Sequence, residues 1–174
     1  MFSMKVIHLI SGGDSGGAKT HVLSLLRNLN ETITAQLVCF RDGPFAQEAR
    51  SLGIPVEIMG GNNIPRLRRQ LTAYIKEGGY QLIHCHGSRA NMVGALLRGS
   101  TGLPVVSTVH SDYKLDYMGR PFARLTFGAI NAWALRKLDY RIGVSDAMVD
   151  LLISRGFAPD RFYAISTGID FTPA

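Results

Sequence analysis

Residues 4–29 read MKVIHLISGGDSGGAKTHVLSLLRNL, and the fold turns on how their three parts are read. MKVIHLI (4–10) reads as a strand, AKTHVLSLLRNL (18–29) reads as a helix, and the seven residues between them hold six glycines and serines. Strand, glycine loop and helix in this order make a phosphate cradle, because the helix start offers unpaired N–H groups and the positive end of its dipole. The loop matches neither of the two best-known cradles. A P-loop would accept Gly12 and Gly17, but Ala18 stands before Lys19 and Thr20. The dinucleotide fingerprint can be laid on Ser11, Gly13 and Gly16, with Ser where the glycine of the tight turn belongs. A plain glycine-rich turn between strand and helix competes with the phosphate reading at this stage.

Outward from this stretch, apolar runs recur at TAQLVCF (34–40), IPVEIM (54–59), QLIHCH (81–86), LPVVSTVH (103–110), DYRIGVS (139–145) and RFYAIST (161–167). With the first strand they make seven. Helical patterns lie between them, such as Leu67, Leu71, Tyr74 and Ile75, and the segment 121–138 that opens on Pro121. Strands apolar on both faces and separated by helices predict an α/β fold, a mostly parallel sheet of about seven strands covered on both sides. Such sheets bind ligands beyond the C-terminal ends of their strands. The glycine loop, His86-Gly87-Ser88-Arg89, His110-Ser111-Asp112, Ser145 and Thr167-Gly168 all fall there.

The 174 residues suit one domain, and 46% hydrophobic against 18% charged residues argues for a folded globule. The run VIHLI is too short for a secretory segment and no stretch reaches a membrane span, so the expectation is a cytoplasmic protein. Cys39 and Cys85 sit in strand-like runs and are expected as buried free thiols. A net charge of +6 calls for an acidic partner: nucleic acid, an anionic membrane face or a phosphorylated small molecule.

The chemistry at the strand ends is rich in imidazole. His84 and His86 share one face of their strand, with Cys85 on the other, and His-x-His can chelate zinc; no third ligand stands at a recognisable spacing. His84 reads as a hydrogen-bonded core residue, and His86 is better placed to face a ligand. His110 lies beside a hydroxyl and a carboxylate, with a structural role as its rival reading. A G-x-S-x-G elbow and locally spaced carboxylate pairs are both missing, which leaves a hydrolase without support.

In order along the chain, GGDSGGAKTHV, LIHCHGSRANMVGALL, VVSTVHS, RIGVSDAM and STGID resemble the N-terminal half of glycosyltransferase family 4, retaining sugar-nucleotide enzymes of the GT-B fold. Many members have Glu where Lys19 stands here. The resemblance implies a Rossmann-like, three-layer domain over residues 1–170 that faces the acceptor, and a hinge beginning at 171–174. The C-terminal donor-binding domain, with its E-x7-E motif, would be absent from these residues. It also implies His110 as the active-site histidine, Gly16, Gly17 and Lys19 on the donor phosphate side, and Gly13, His86, Ser88, Arg89, Ser111 and Ser145 on the acceptor side. No metal or other cofactor is expected, the nucleotide-sugar being a substrate, and the isolated chain is expected to be inactive.

Two rival readings compete with this one. An NAD-binding module would use an acidic residue after the second strand, and Asp42 is near, though Arg41 and a longer interval weaken the match. Nucleic-acid binding is set aside because the basic residues are dispersed without interleaved aromatics. Docking on an anionic membrane, at its inner face, is suggested by Arg66, Arg68 and Arg69 and by the mixed basic and apolar segment 113–124.

Overall fold

The seven apolar runs pair into one sheet, in the order β3-β2-β1-β4-β5-β6-β7. The structure is a computed structural model that describes residues 3–13, 17–29, 33–112 and 121–166, the side chains of 121–125 and 127 excepted. In chain order the elements are β1 (Lys5–Ile10), α1 (Gly17–Leu29), β2 (Thr34–Cys39), α2 (Pro44–Ser51), β3 (Val56–Ile58), α3 (Ile64–Gly78) and β4 (Leu82–His86). They continue as α4 (Ser88–Thr101), β5 (Val105–Val109), α5 (Pro121–Lys137), β6 (Tyr140–Gly143), α6 (Asp146–Ser154), a 3-10 turn (Pro159–Arg161) and β7 (Phe162–Ala164). All six pairings are parallel, so the sheet expected to be mostly parallel is wholly so.

Several strands are shorter than the apolar runs that announced them, because end residues take other work. Asp139 leaves the sheet to accept the Val105 N–H at 3.0 Å and to pair with Arg98. Ser145 turns away to cap α6, its hydroxyl accepting the Met148 N–H at 3.2 Å. Ile54 is buried ahead of β3, its N–H bonded to Ala49 at the end of α2.

Helices cover both faces. α3 shows how: Asn63 caps its start by accepting the Arg66 N–H at 2.9 Å, and Gly79 ends it in the left-handed region at φ 65°. Between these stops, Leu67, Leu71 and Ile75 recur at i, i+4 and i+8 and are buried, the stripe the sequence predicted. They join Ile7, Leu9, Ile83, Val93 and Leu97 in one core, to which α5 and α6 add Leu135 and Leu152. On the opposite face α1 and α2 bury Val22, Leu26, Phe45 and Ala49 over Leu37 and Cys39. Both cysteines are free and buried, as expected. α4 can lie close on β4 because Gly94 has no side chain; a Cβ there would stand 2.3 Å from the Cys85 sulfur.

The strand order reverses at β1. Successive strands run from β1 to β3 toward one edge, and from β4 to β7 toward the other. Loops from the two halves therefore part above the β1–β4 pair, which opens a crevice there.

Candidate functional site

The crevice holds a cavity of about 260 Å³ walled by Ile10 of β1, Ala18 and Val22 of α1, His86 of β4, Ser88 and Asn91 of α4, and Thr108, His110 and Ser111 at the end of β5, with Asn131 of α5. A second cavity of about 450 Å³ adjoins it, sharing Ser88 and Asn131 and adding Ile64, Arg89, Met92 and Ile130. Five of the residues expected at the strand ends, His86, Gly87, Ser88, His110 and Ser111, thus meet in one place.

All five histidines of the chain belong to one run of touching rings. β1 and β4 set His8 beside His84 in register, and the alternation of β4 adds His86 on the same face. Ring centroids lie 4.8 Å apart for His8 and His84, 4.3 Å for His84 and His86, and 5.9 Å for His86 and His110. From α1, His21 meets His110 edge-on at 4.9 Å. His8 Nδ1 and His86 Nε2 share a hydrogen bond of 3.1 Å, and His84 Nε2 bonds the Thr108 hydroxyl at 2.8 Å.

Burial keeps these rings neutral. It pulls His8 down to about 3, and drives His84 and His86 well below the ordinary value of 6.5, the neighbouring imidazoles adding to the effect. His110 is lowered to about 4, first by burial and then by His21. A neutral imidazole has one donor and one acceptor, and among the described residues three of these nitrogens find no partner: His8 Nε2, His86 Nδ1 and His110 Nε2. Two belong to residues that line the cavity, His86 and His110.

His8, His84 and His86 also place three ligating atoms within 4.8 Å of one another, so β1 supplies the third histidine that spacing could not reveal. The donor set fits a metal ion poorly. Two of the rings already bond each other and the third bonds Thr108, and the group contains no carboxylate or thiolate, so a buried dication would lack a counter-charge.

The glycine loop divides into two parts. Gly12, at φ 86°, and Gly13 lie under Arg41: a Cβ would stand 2.6 Å from the Arg41 carbonyl oxygen in the first case and 1.6 Å from its guanidinium in the second. Close approach of the Arg41 backbone, with the positive φ, explains Gly12; at Gly13 the neighbour is the movable end of the Arg41 side chain. Gly17 begins α1 with nothing within 4 Å of an added Cβ, so its backbone face is open. Gly16 lies outside the described residues. Lys19 pairs with Glu48 of α2, which offsets its charge.

On the other side, Ser88 starts α4 and lines both cavities, whereas Arg89 lines only the second, donating to the Gly61 carbonyl at 2.7 Å and lying over Phe40. Ser145 is engaged as the α6 cap and lines neither cavity. Asp112 is held by Arg155 in a two-pronged ion pair. Asp42, the ribose ligand an NAD module would want, accepts from the Gly43 N–H and from Arg50 instead.

Thr108, Asn91 and Asn131 were missed by sequence reasoning, as were His8 and His21. Asn91 and Asn131 are buried and joined to Ser107: the Ser107 hydroxyl donates to Asn91 Oδ1 at 2.6 Å, and Asn91 Nδ2 donates to Asn131 Oδ1 at 3.0 Å. A polar residue inside an otherwise apolar element, as in KVIHLI, was the only available signal.

Comparison with known proteins gives a consistent picture. A family model described as Glycosyltransferase Family 4 matches residues 15–172. D-inositol 3-phosphate glycosyltransferase 1 of Catenulispora acidiphila is 26% identical over 181 residues, covering 91% of this chain and 42% of that protein. Among solved structures, Anabaena HepE in complex with UDP-glucose superposes with a TM-score of 0.78 at 22% identity, over 96% of this chain and 44% of that one. A glycosyltransferase from Rickettsia africae gives 0.74 at 15% identity, over 97% and 44%. The chain therefore spans less than half the length of these relatives.

Proposed function

The chain belongs to Glycosyltransferase Family 4 and has the fold of one half of a GT-B enzyme, and we propose that it is the acceptor-side half of a retaining glycosyltransferase that takes its sugar from a nucleotide-sugar donor. Residues 1–170 would be that domain, 171–174 the start of the hinge, and a C-terminal domain would complete the donor pocket. The observation that carries the reading is the crevice above β1 and β4, where His110 and His86 face the start of α1 across one cavity. HepE, which shares the fold, holds UDP-glucose in its own structure.

In this reading the donor's diphosphate lies against Gly16, Gly17 and the first turn of α1, whose N–H groups suit negative charge. Lys19 adds little to the clamp, since Glu48 already offsets it. His110, neutral because of its burial, orients the transferred sugar by hydrogen bonding and carries no positive charge at neutral pH. His86, Ser88, Arg89 and Ser111 face the acceptor, with Gly13 and Ser145 farther out on the same edge. The departing diphosphate is stabilised by positioned donors from both domains, with no protein nucleophile and no bound metal. Support for the metal-free reading is that His8 and His86 already bond each other and His84 bonds Thr108.

The work is cytoplasmic, at the inner face of an anionic membrane. Arg66, Arg68 and Arg69 are all exposed on α3, which suits that contact. Residues 113–120 of the second basic segment, and the side chains of 121–124, lie outside the described residues. Among the described residues no helix is long and apolar enough to cross a membrane.

The test is transfer from radiolabelled UDP-glucose by the chain alone and by the chain joined to a C-terminal family domain. Transfer by the joined protein only is the expected result. Turnover by the chain alone, titrating with protein, would overturn the half-enzyme reading.

A further inference from the structure

We propose that the 450 Å³ cavity receives the apolar part of an amphiphilic acceptor, and that Asn131 positions the acceptor's hydroxyl as it passes from that cavity into the one beneath His110. This rests on the transferase reading above and names the acceptor's chemical class. Asn131 is 4% exposed and lines both cavities. Its side-chain orientation is set from behind. Ser107 donates to Asn91 Oδ1, so the Asn91 amide nitrogen turns to Asn131 and takes its Oδ1. The Asn131 Nδ2 group is then the end of the amide left toward the two cavities that Asn131 lines. An amide with its oxygen fixed and its nitrogen turned to a cavity offers a positioned donor to a ligand oxygen.

The neighbouring wall states what surrounds that oxygen. Ile64, Met92 and Ile130 line the larger cavity, and Ile130 is 40% exposed there although it is large and apolar. A free sugar, polar all round, would leave these side chains facing hydroxyls. An acceptor with an alkyl or aryl portion beside its hydroxyl covers them and keeps the oxygen for Asn131 and Ser88.

The experiment titrates the 15N-labelled chain with octyl β-glucoside below its micelle concentration, and separately with glucose, without donor. Octyl β-glucoside should shift the Asn131 side-chain NH2 resonance saturably and bind at least about tenfold more tightly than glucose. Asn131→Asp keeps the oxygen that Asn91 needs and removes the donor; it should weaken binding about fivefold to tenfold in protein whose backbone spectrum shows it still folded, with a lower Tm because the new carboxylate is buried. Ile130→Ser, at an exposed position, should weaken octyl β-glucoside and leave glucose unaffected. Equal binding of the two probes, no binding of either, shifts remote from Asn131, or parent-like binding by Asn131→Asp would each overturn the proposal. The two readings fail separately. Amphiphile binding at Asn131 with no sugar transfer by the joined protein removes the transferase, whereas transfer to free saccharides that ignores Asn131→Asp removes only the acceptor class.

Discussion

Ser107 and Thr108 are neighbours on β5 that point to opposite faces of the sheet, and each anchors a buried polar group behind the same cavity. Thr108 holds His84 and, through it, the stack of His8 and His86; Ser107 holds Asn91 and Asn131. The histidine group retains orphaned nitrogens on His8 and His86, and His110 beside it retains a third. In the asparagine group each hydrogen bond leads on to the next residue, from Ser107 to Asn91 to Asn131, and the last amide nitrogen turns to the cavities. Burial is similar on the two faces, so its cost is met differently: by staying neutral on one, by mutual hydrogen bonding on the other. Titration should therefore disturb the first and leave the second alone.

The largest expected effect separates them by pH. Burial holds the folded-state values of His8, His84, His86 and His110 below the unfolded value of 6.5, so the unfolded chain takes up protons first. Stability is complete above that value and is lost as pH falls, by up to about 1.4 kcal/mol per pH unit for each histidine, until the lowered values near 4 and 3 are passed. Several such groups act together, which is comparable with the whole stability of a domain. Near-UV circular dichroism should show acid unfolding between about pH 4 and pH 6. Unchanged urea stability across that range would break the contrast.

Next in size is Asn91→Leu, which strands the Ser107 hydroxyl and the Asn131 oxygen. It should cost about 2–4 kcal/mol in urea denaturation, nearly independent of pH. A cost that grew toward acid pH would mean that the two groups are not separate.

His110→Ala in the joined two-domain protein should lower kcat about 100-fold with little change in Tm, because the ring borders the cavity and acts by orientation. Lost stability with normal activity in the folded fraction would place His110 with the structural histidines. Smallest is Gly17→Val. A Cβ there meets nothing within 4 Å, so stability should change by no more than about 1 kcal/mol while binding of UDP weakens about threefold to fivefold. Unaltered binding, read by calorimetry, would reduce the loop to a turn.

Apolar runs separated by helix-length segments were enough to predict seven strands and helices on both faces, since each depends on a period within about fifteen residues. The capped and amphipathic α3, the start of α5 at Pro121 and the buried thiols followed from the same local rules. The ordered motifs from GGDSGGAKTHV to STGID carried the family. What the tertiary structure decided are the contacts between residues 16 to 78 positions apart: His8 with His86, Asn131 with Asn91, Ser107 with Asn91, and Arg41 over Gly12 and Gly13. Lys19 illustrates the limit: its charge was readable in sequence, but the Glu48 that offsets it belongs to another helix. Hydrogen bonds and ion pairs act over about 3 Å, and only packing the helices onto the sheet brings such distant residues that close.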